Sequence, residues 1–266
     1  MNSFSLVLAR KFVTGCLQMA SPGSCLVCSC PSSLNRVCHR CALETPDTSL
    51  AGRCLTCFGP ALERPVCHYC SSNPLHFHEV RYLWDYRGNL RDVVQAMKYS
   101  PSLWLAKFLS KRAAPFPLQL FSRPCWDCIV PVPSSKVSLR QRGFNQSTVI
   151  AEAVSRNIRQ ATGNKIPVKN RILFHRGYRA RQVSLPHSQR YRNVKDAFST
   201  RGPSPERILL IDDVVTTGST VSAACAALRR AGAHTIDVFA LARSESWYEF
   251  RQQLLLPKQR LESIGP

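Results

Sequence analysis

Ile208-Leu-Leu-Ile-Asp-Asp-Val-Val-Thr-Thr-Gly-Ser-Thr220 is the stretch whose reading decides the fold. Arg207–Ile211 is almost continuously apolar, the pattern of a strand buried on both faces of a parallel sheet. Such a strand delivers Asp212 and Asp213 to the rim of the sheet, where two acceptor-only carboxylates can hold a pair of sugar hydroxyls. Thr216, Thr217, Gly218, Ser219 and Thr220 then supply hydroxyls and successive backbone N–H groups, and Gly218 permits a tight turn. The next helix starts there, so its positive end faces a bound phosphate. Diol binders followed by a phosphate cradle describe the recognition of a ribose 5-phosphate. The plain alternative is an Asp-rich helix cap after a strand. A Walker A loop is excluded, because no Gly-Lys-Ser/Thr is present.

Outward from this stretch, strands and helices alternate. Val80–Asp85 reads as a short strand and Leu90–Tyr99 as a helix with Val93, Val94 and Met97 at helical spacing. Leu103–Lys111 continues helical after Pro101, and Cys128–Val132 is a buried strand. Asn145–Arg159 is an amphipathic helix, Arg171–Phe174 a short strand, and the basic run onward to Pro205 has no clear period. Thr220–Ala231 places Val221, Ala224, Cys225 and Leu228 on one helical face, Gly232 ends it, and His234–Ala240 is a further strand. This order implies an α/β fold with right-handed crossovers and a ligand site at the carboxyl ends of the strands.

The first third of the chain is different material. Ten of the thirteen cysteines precede Ser71, and eight of them form a repeat. Cys25-Leu-Val-Cys28 and Cys38-His-Arg-Cys41 recur 29 residues later as Cys54-Leu-Thr-Cys57 and Cys67-His-Tyr-Cys70, with Leu26, Pro31, Val37 and His39 matched by Leu55, Pro60, Val66 and His68. A Cys-x-x-Cys knuckle turns two thiolates to one side, and two knuckles complete a tetrahedral sulfur shell, so the repeat predicts two structural zinc sites. So short a segment with few large apolar groups needs metal binding to supply its folding free energy. Pairing within each repeat is the simpler assignment, and a crossed pairing stays open. Cys125-Trp-Asp-Cys128 lacks a partner knuckle and runs into a strand, which marks it as packing.

A formal charge of +20 is concentrated: Lys136–Lys195 holds fourteen Lys and Arg against the single acid Glu152. Such a stretch suits a polyanion, whether pyrophosphate, nucleotide or nucleic acid, or simply a solubilising surface. Met1–Ala20 lacks a basic leader region, and Arg10 and Lys11 interrupt its one apolar run, so a soluble cytoplasmic chain without membrane insertion is expected. Thiol-rich composition in that compartment argues for metal ligands over disulfides.

The Ile208–Thr220 segment resembles the phosphoribosyl-pyrophosphate motif of type I phosphoribosyltransferases, and its flanks resemble the ComF family. Carrying that likeness are Tyr86-Arg-Gly-Asn-Leu-Arg91 with Met97-Lys-Tyr99, Val130-Pro-Val-Pro133, Arg142-Gly-Phe-Asn-Gln146, Gln182-Val-Ser-Leu185 with Arg190-Tyr-Arg-Asn-Val194, and Ala197-Phe198. The family joins a double zinc ribbon to the transferase domain, which implies a tail over 1–24, a double zinc ribbon over 25–74, a type I phosphoribosyltransferase-like domain over 80–243 and a tail over 244–266.

The resemblance further implies a role for each motif. Asp212 and Asp213 would hold the ribose hydroxyls and Thr216–Thr220 the 5-phosphate. Pro133, Ser134, Ser135 and Lys136 would approach the pyrophosphate, and Lys98 would be a pyrophosphate contact. Arg179, Arg181 and Gln182, in the place of the superfamily's closing loop over Arg176–Arg192, would reach the ligand. Arg142–Gln146 has a structural reading beside this, with Asn145 as a helix cap and Phe144 as its staple. The implied reaction displaces pyrophosphate from the anomeric carbon with Mg²⁺ assistance, the acceptor being unassigned. ComF proteins are also associated with DNA uptake in natural transformation, which implies single-stranded DNA and competence proteins as alternative partners.

Overall fold

A computed structural model describes residues 24–31, 37–41, 51–59, 61, 65–72, 75–99, 103–176, 197–216 and 218–244. Its centre is a four-stranded, wholly parallel sheet. The strands are β1 (Glu79–Asp85), β2 (Cys128–Pro131), β5 (Arg207–Val215) and β6 (Thr235–Arg243), in the order β1-β6-β5-β2. β5 and β6 lie in the middle, and Ile208, Leu209, Leu210, Ile236, Val238 and Phe239 are fully buried there. Their unbroken apolar runs follow from helices covering both faces of a parallel sheet. A separate antiparallel pair, β3 (Leu173–His175) with β4 (Phe198–Thr200), sits beside it.

The helices around the sheet are α2 (Gly88–Tyr99), α3 (Leu103–Ala113), α4 (Phe116–Leu120), α5 (Lys136–Arg142), α6 (Gln146–Thr162) and α7 (Ser219–Arg230), after a short α1 (His68–Ser72). The long strands and helices fall where the periodicity puts them, the short α4 and β4 are added by the structure, and two differences bear on the site. β5 runs on through Asp212 and Asp213 to Val215, because the apolar Val214 and Val215 keep pairing with β6 as far as Arg243. The diacid therefore lies within the last part of the strand's ladder, not beyond its end. In addition, α5 begins at Lys136, where the residue pattern suggests only a loop; Ser135 starts it by accepting a hydrogen bond from the Ser138 amide.

The cysteine repeat packs on the sheet's edge. Thr56 O accepts from the Val80 amide at 2.7 Å, so the exposed side of edge strand β1 gains a partner. Phe58 lies edge-on to Tyr82 at 5.2 Å, and its carbonyl accepts the Tyr82 hydroxyl at 2.8 Å. Arg81, 1% exposed, stacks over both Phe58 and Phe121, pairs with Glu79 at 2.7 Å and donates to the Leu120 and Val80 carbonyls. Among the described residues, no helix is long and apolar enough to cross a membrane.

Candidate functional site

Sheet register assembles the site. Pro131 of β2 pairs with Ile211 of β5, and the Val132 amide donates to the Ile211 carbonyl. The Pro133–Lys136 loop thus leaves the sheet beside Asp212, at the carboxyl ends of the strands. Two residues after Val214, the chain reaches Thr216, turns through Gly218 and enters α7. Gly218 is the cap residue of α7 at φ 74°, a left-handed conformation that an L side chain would strain. As a glycine, Gly218 offers α7 no capping side chain, whereas Ser135 and Asn145 cap α5 and α6. The positive end of α7 therefore lies at the carboxyl end of β5, beside the diacid.

Asp212 and Asp213 have different surroundings. Asp212, 7% exposed, accepts the Asp213 amide at 2.9 Å and the Ser147 hydroxyl at 3.4 Å. Burial, and then the neighbouring Asp213 charge, push its carboxyl up to about 8. Asp213 is more open and pairs with Lys98 of α2 at 3.3 Å. Lys98 thus stands beside the diacid.

Asn145 does more than cap. Its Oδ1 accepts the Ser147 amide at 3.1 Å and the Ser134 hydroxyl at 3.0 Å, while its Nδ2 donates to the Val132 carbonyl at 2.9 Å. One amide therefore ties the Pro133–Lys136 loop to the start of α6, and Ser147 carries the connection on to Asp212. The sequence gives Asn145 a capping reading beside a ligand contact, and nothing in the residue pattern marks Ser147. Lys136 is exposed as the first residue of α5, and Thr216 and Thr220 are exposed at the loop's two ends. Thr217, Arg179, Arg181, Gln182 and the rest of 177–196 lie outside the described residues.

The eight knuckle cysteines form two clusters, each within one repeat: Cys25, Cys28, Cys38 and Cys41, and Cys54, Cys57, Cys67 and Cys70. In each, all four sulfurs lie within 4.8 Å of one another. Metal–sulfur bonds of about 2.3 Å in a tetrahedron require sulfurs about 3.8 Å apart. Cys28 and Cys38 are 3.7 Å apart and Cys57 and Cys67 3.8 Å, so the donor set fits a zinc-sized ion. Backbone amides of Cys38 and Cys67 donate to Cys25 and Cys54 at 3.4 and 3.3 Å, the same contact in each repeat. Hydrogen bonding from Cys57, chiefly, holds the Cys54 thiol down at about 4. Cys128 is buried in β2, as packing requires, and Cys125 is exposed beside Arg207.

No family model matches the chain. Competence protein F of Haemophilus influenzae is 31% identical over 162 residues, 57% of this chain and 67% of that protein. DNA utilization protein YhgH of Escherichia coli K12 is 30% identical over 235 residues, 84% of this chain and 98% of that protein, and its counterpart in Shigella flexneri matches to the same extent. Among solved structures, orotate phosphoribosyltransferase from Aeropyrum pernix aligns with 62% of this chain and 71% of its own at 16% identity and a TM-score of 0.31. A glutamine phosphoribosylpyrophosphate amidotransferase from B. subtilis aligns with 51% of this chain and 25% of its own at 21% identity and a TM-score of 0.32. Superpositions this loose say nothing about the site, whose chemistry is set by sheet order, register and side-chain contacts.

Proposed function

The chain belongs to the ComF family, and from that premise we propose that it binds phosphoribosyl pyrophosphate and transfers the phosphoribosyl group to an acceptor not yet identified. The observation that carries the reading is a buried strand delivering Asp212 and Asp213 directly into a left-handed glycine turn and the N-terminus of α7. Asp212 and Asp213 take the ribose hydroxyls; Thr216, Thr217, Gly218, Ser219 and Thr220 take the 5-phosphate. The Pro133–Lys136 loop, held by Asn145, takes the pyrophosphate end, and Arg179, Arg181 and Gln182 close over it.

The carboxylate oxygens of Asp213 and Asp212 fit Mg²⁺, which is usually held by one or two carboxylates together with phosphate oxygens and waters. When bound, that ion supplies charge neutralisation to the departing pyrophosphate. The protein's own part is to fix the ribose, shield the anomeric carbon from water and place Lys98 and Lys136 near the leaving group. We assign two zinc ions to the cysteine clusters as structural metals, residues 25–74 to a double zinc ribbon and 80–243 to the transferase unit. Thiol-rich clusters of this kind suit the cytoplasm.

Calorimetric titration with phosphoribosyl pyrophosphate and Mg²⁺ tests this. Saturable binding, lost in Asp212→Ala/Asp213→Ala, is expected; a folded, metal-loaded wild type that binds nothing refutes the reading. A second function draws on the names of the relatives, which concern competence and DNA utilization, and on the basic excess of 136–195. It has the chain handle single-stranded DNA with competence and DNA-uptake proteins, through phosphate contacts. Affinity for an oligonucleotide would then fall steeply with salt, and a flat salt response would remove this reading.

A further inference from the structure

The two cysteine repeats match in three dimensions as closely as in sequence. The Cys25 amide donates to Cys30 O as the Cys54 amide does to Gly59 O, and Ser29 and Phe58 amides return to Cys25 and Cys54 carbonyls at 2.8 Å each. Ser29 and Phe58 are also the two non-glycine residues with positive φ, 60° and 56°, among the described residues. Against this match one difference is chemical: Cys30 stands where the second repeat has Gly59. Cys30 is not one of the four clustered ligands, yet its sulfur lies 3.1 Å from that of Cys28. Cys28 is exposed, whereas its counterpart Cys57 is buried. Arg40, beside Cys30, stands where the second repeat has Tyr69.

We propose that Cys30 makes the first cluster a hydroperoxide-sensitive site, oxidation linking Cys28 to Cys30 and releasing one metal ion while the second cluster stays closed. The inference rests on the zinc assignment. One sulfur of the Cys28–Cys30 pair, as the thiolate, attacks a peroxide oxygen; the O–O bond breaks, and the departing hydroxide takes a proton to become water. The other sulfur, already in contact at 3.1 Å, then attacks the sulfenic sulfur, the S–S bond forms, and the oxygen leaves as a second water after protonation. Two thiolates lose two electrons to one peroxide, and the metal loses its Cys28 ligand. The left-handed turn at Ser29 makes the link feasible. An extended residue there would hold the flanking Cα atoms near the outer limit of about 7 Å for a disulfide, and the turn draws them closer.

The test uses the full chain, reduced, zinc-loaded and freed of excess thiol. Its metal content is counted first, which checks the zinc assignment separately. Hydrogen peroxide is then added, released zinc is followed with a chromogenic chelator, and linkages are mapped by mass spectrometry after alkylation. Expected are a fast phase of one metal equivalent, a slow second one, and a Cys28–Cys30 disulfide. Cys30→Gly, which copies the second repeat, should bind both metals and slow the first release roughly ten-fold or more, since the resolving thiol pair is gone. Equal release from both clusters, undiminished fast release in Cys30→Gly, or linkage through other cysteines overturns the proposal. Should Cys30→Gly bind fewer than two metals, Cys30→Ser and the wild-type linkage map decide between these outcomes. In a chain that holds no zinc the zinc assignment fails, and the linkage map alone still accepts or rejects the Cys28–Cys30 bond.

Discussion

Asp212 carries the clearest pH signature in the molecule. Its carboxyl is raised from an unfolded value of 3.8 to about 8, first by burial and next by Asp213. The folded chain therefore holds a proton that the unfolded chain releases, and the stability linked to it is lost as pH climbs from about 4 through about 8. Thermal midpoints of the ligand-free protein should fall between pH 6 and 9, and Asp212→Asn should flatten that decline. On the proposed function the ionised diacid binds phosphoribosyl pyrophosphate, so affinity should rise over the same range. Binding at pH 7 should release about one proton, measurable by calorimetry in buffers of different ionisation enthalpy. Lys98 opposes the shift at Asp212 and pairs with Asp213. Lys98→Met should accordingly move the proton-release midpoint upward. Its stability cost should be about 1 kcal/mol, because a pair this open is well screened.

At the level of elements, α6 and the Pro133–Lys136 loop behave as one device through Asn145. Asn145→Ala removes a helix cap worth about 1 kcal/mol and also frees the Ser134 hydroxyl and the Val132 carbonyl. We expect a loss of about 2 kcal/mol in chemical denaturation, with weakened pyrophosphate affinity. Ser135→Ala, which uncaps the exposed α5 alone, should cost about 1 kcal/mol or less and leave affinity closer to wild type. Elements with strong period were legible in the sequence: β5, β6, α2, α6 and α7 each bury a face that the residue order announces. α5 was not, since none of its residues is buried and Val137 and Leu139 face solvent, so no apolar stripe marks it. α4 was hidden by its two prolines, which read as a loop but occupy helix-start positions. β4 is three residues long and exists by pairing with β3, a non-local condition. The diacid and the glycine turn could be found from residue types alone. Ser147 could not, because its contact with Asp212 joins residues 65 apart in sequence.

Across the whole molecule, the cysteine repeats and the sheet are joined on two fronts. The His39–Cys41 turn of the first repeat packs on α2, the helix whose Lys98 reaches Asp213. The second repeat meets β1 at Arg81, whose guanidinium touches Phe58, Glu79, Leu120 O and Phe121 together. Such a side chain has one partner from each piece it holds, and removing it leaves the Glu79 carboxylate in a nearly dry site without its cation, with the Ser122 hydroxyl and His78 beside it. Breaking a buried pair from one side costs about 3–5 kcal/mol, whereas replacing both charges by apolar groups of similar volume can be close to neutral. Arg81→Met should therefore destabilise the chain by several kcal/mol, and Arg81→Met/Glu79→Leu by clearly less. The joint should also be visible in cooperativity. In the wild type, zinc release and the change in Trp84 and Trp126 fluorescence should coincide along a denaturant titration, because the repeat and β1 let go together. In Arg81→Met zinc should leave at lower denaturant than the tryptophans report. Coincident curves in that variant would mean that the Thr56–Val80 and Phe58–Tyr82 contacts hold the two pieces together without Arg81.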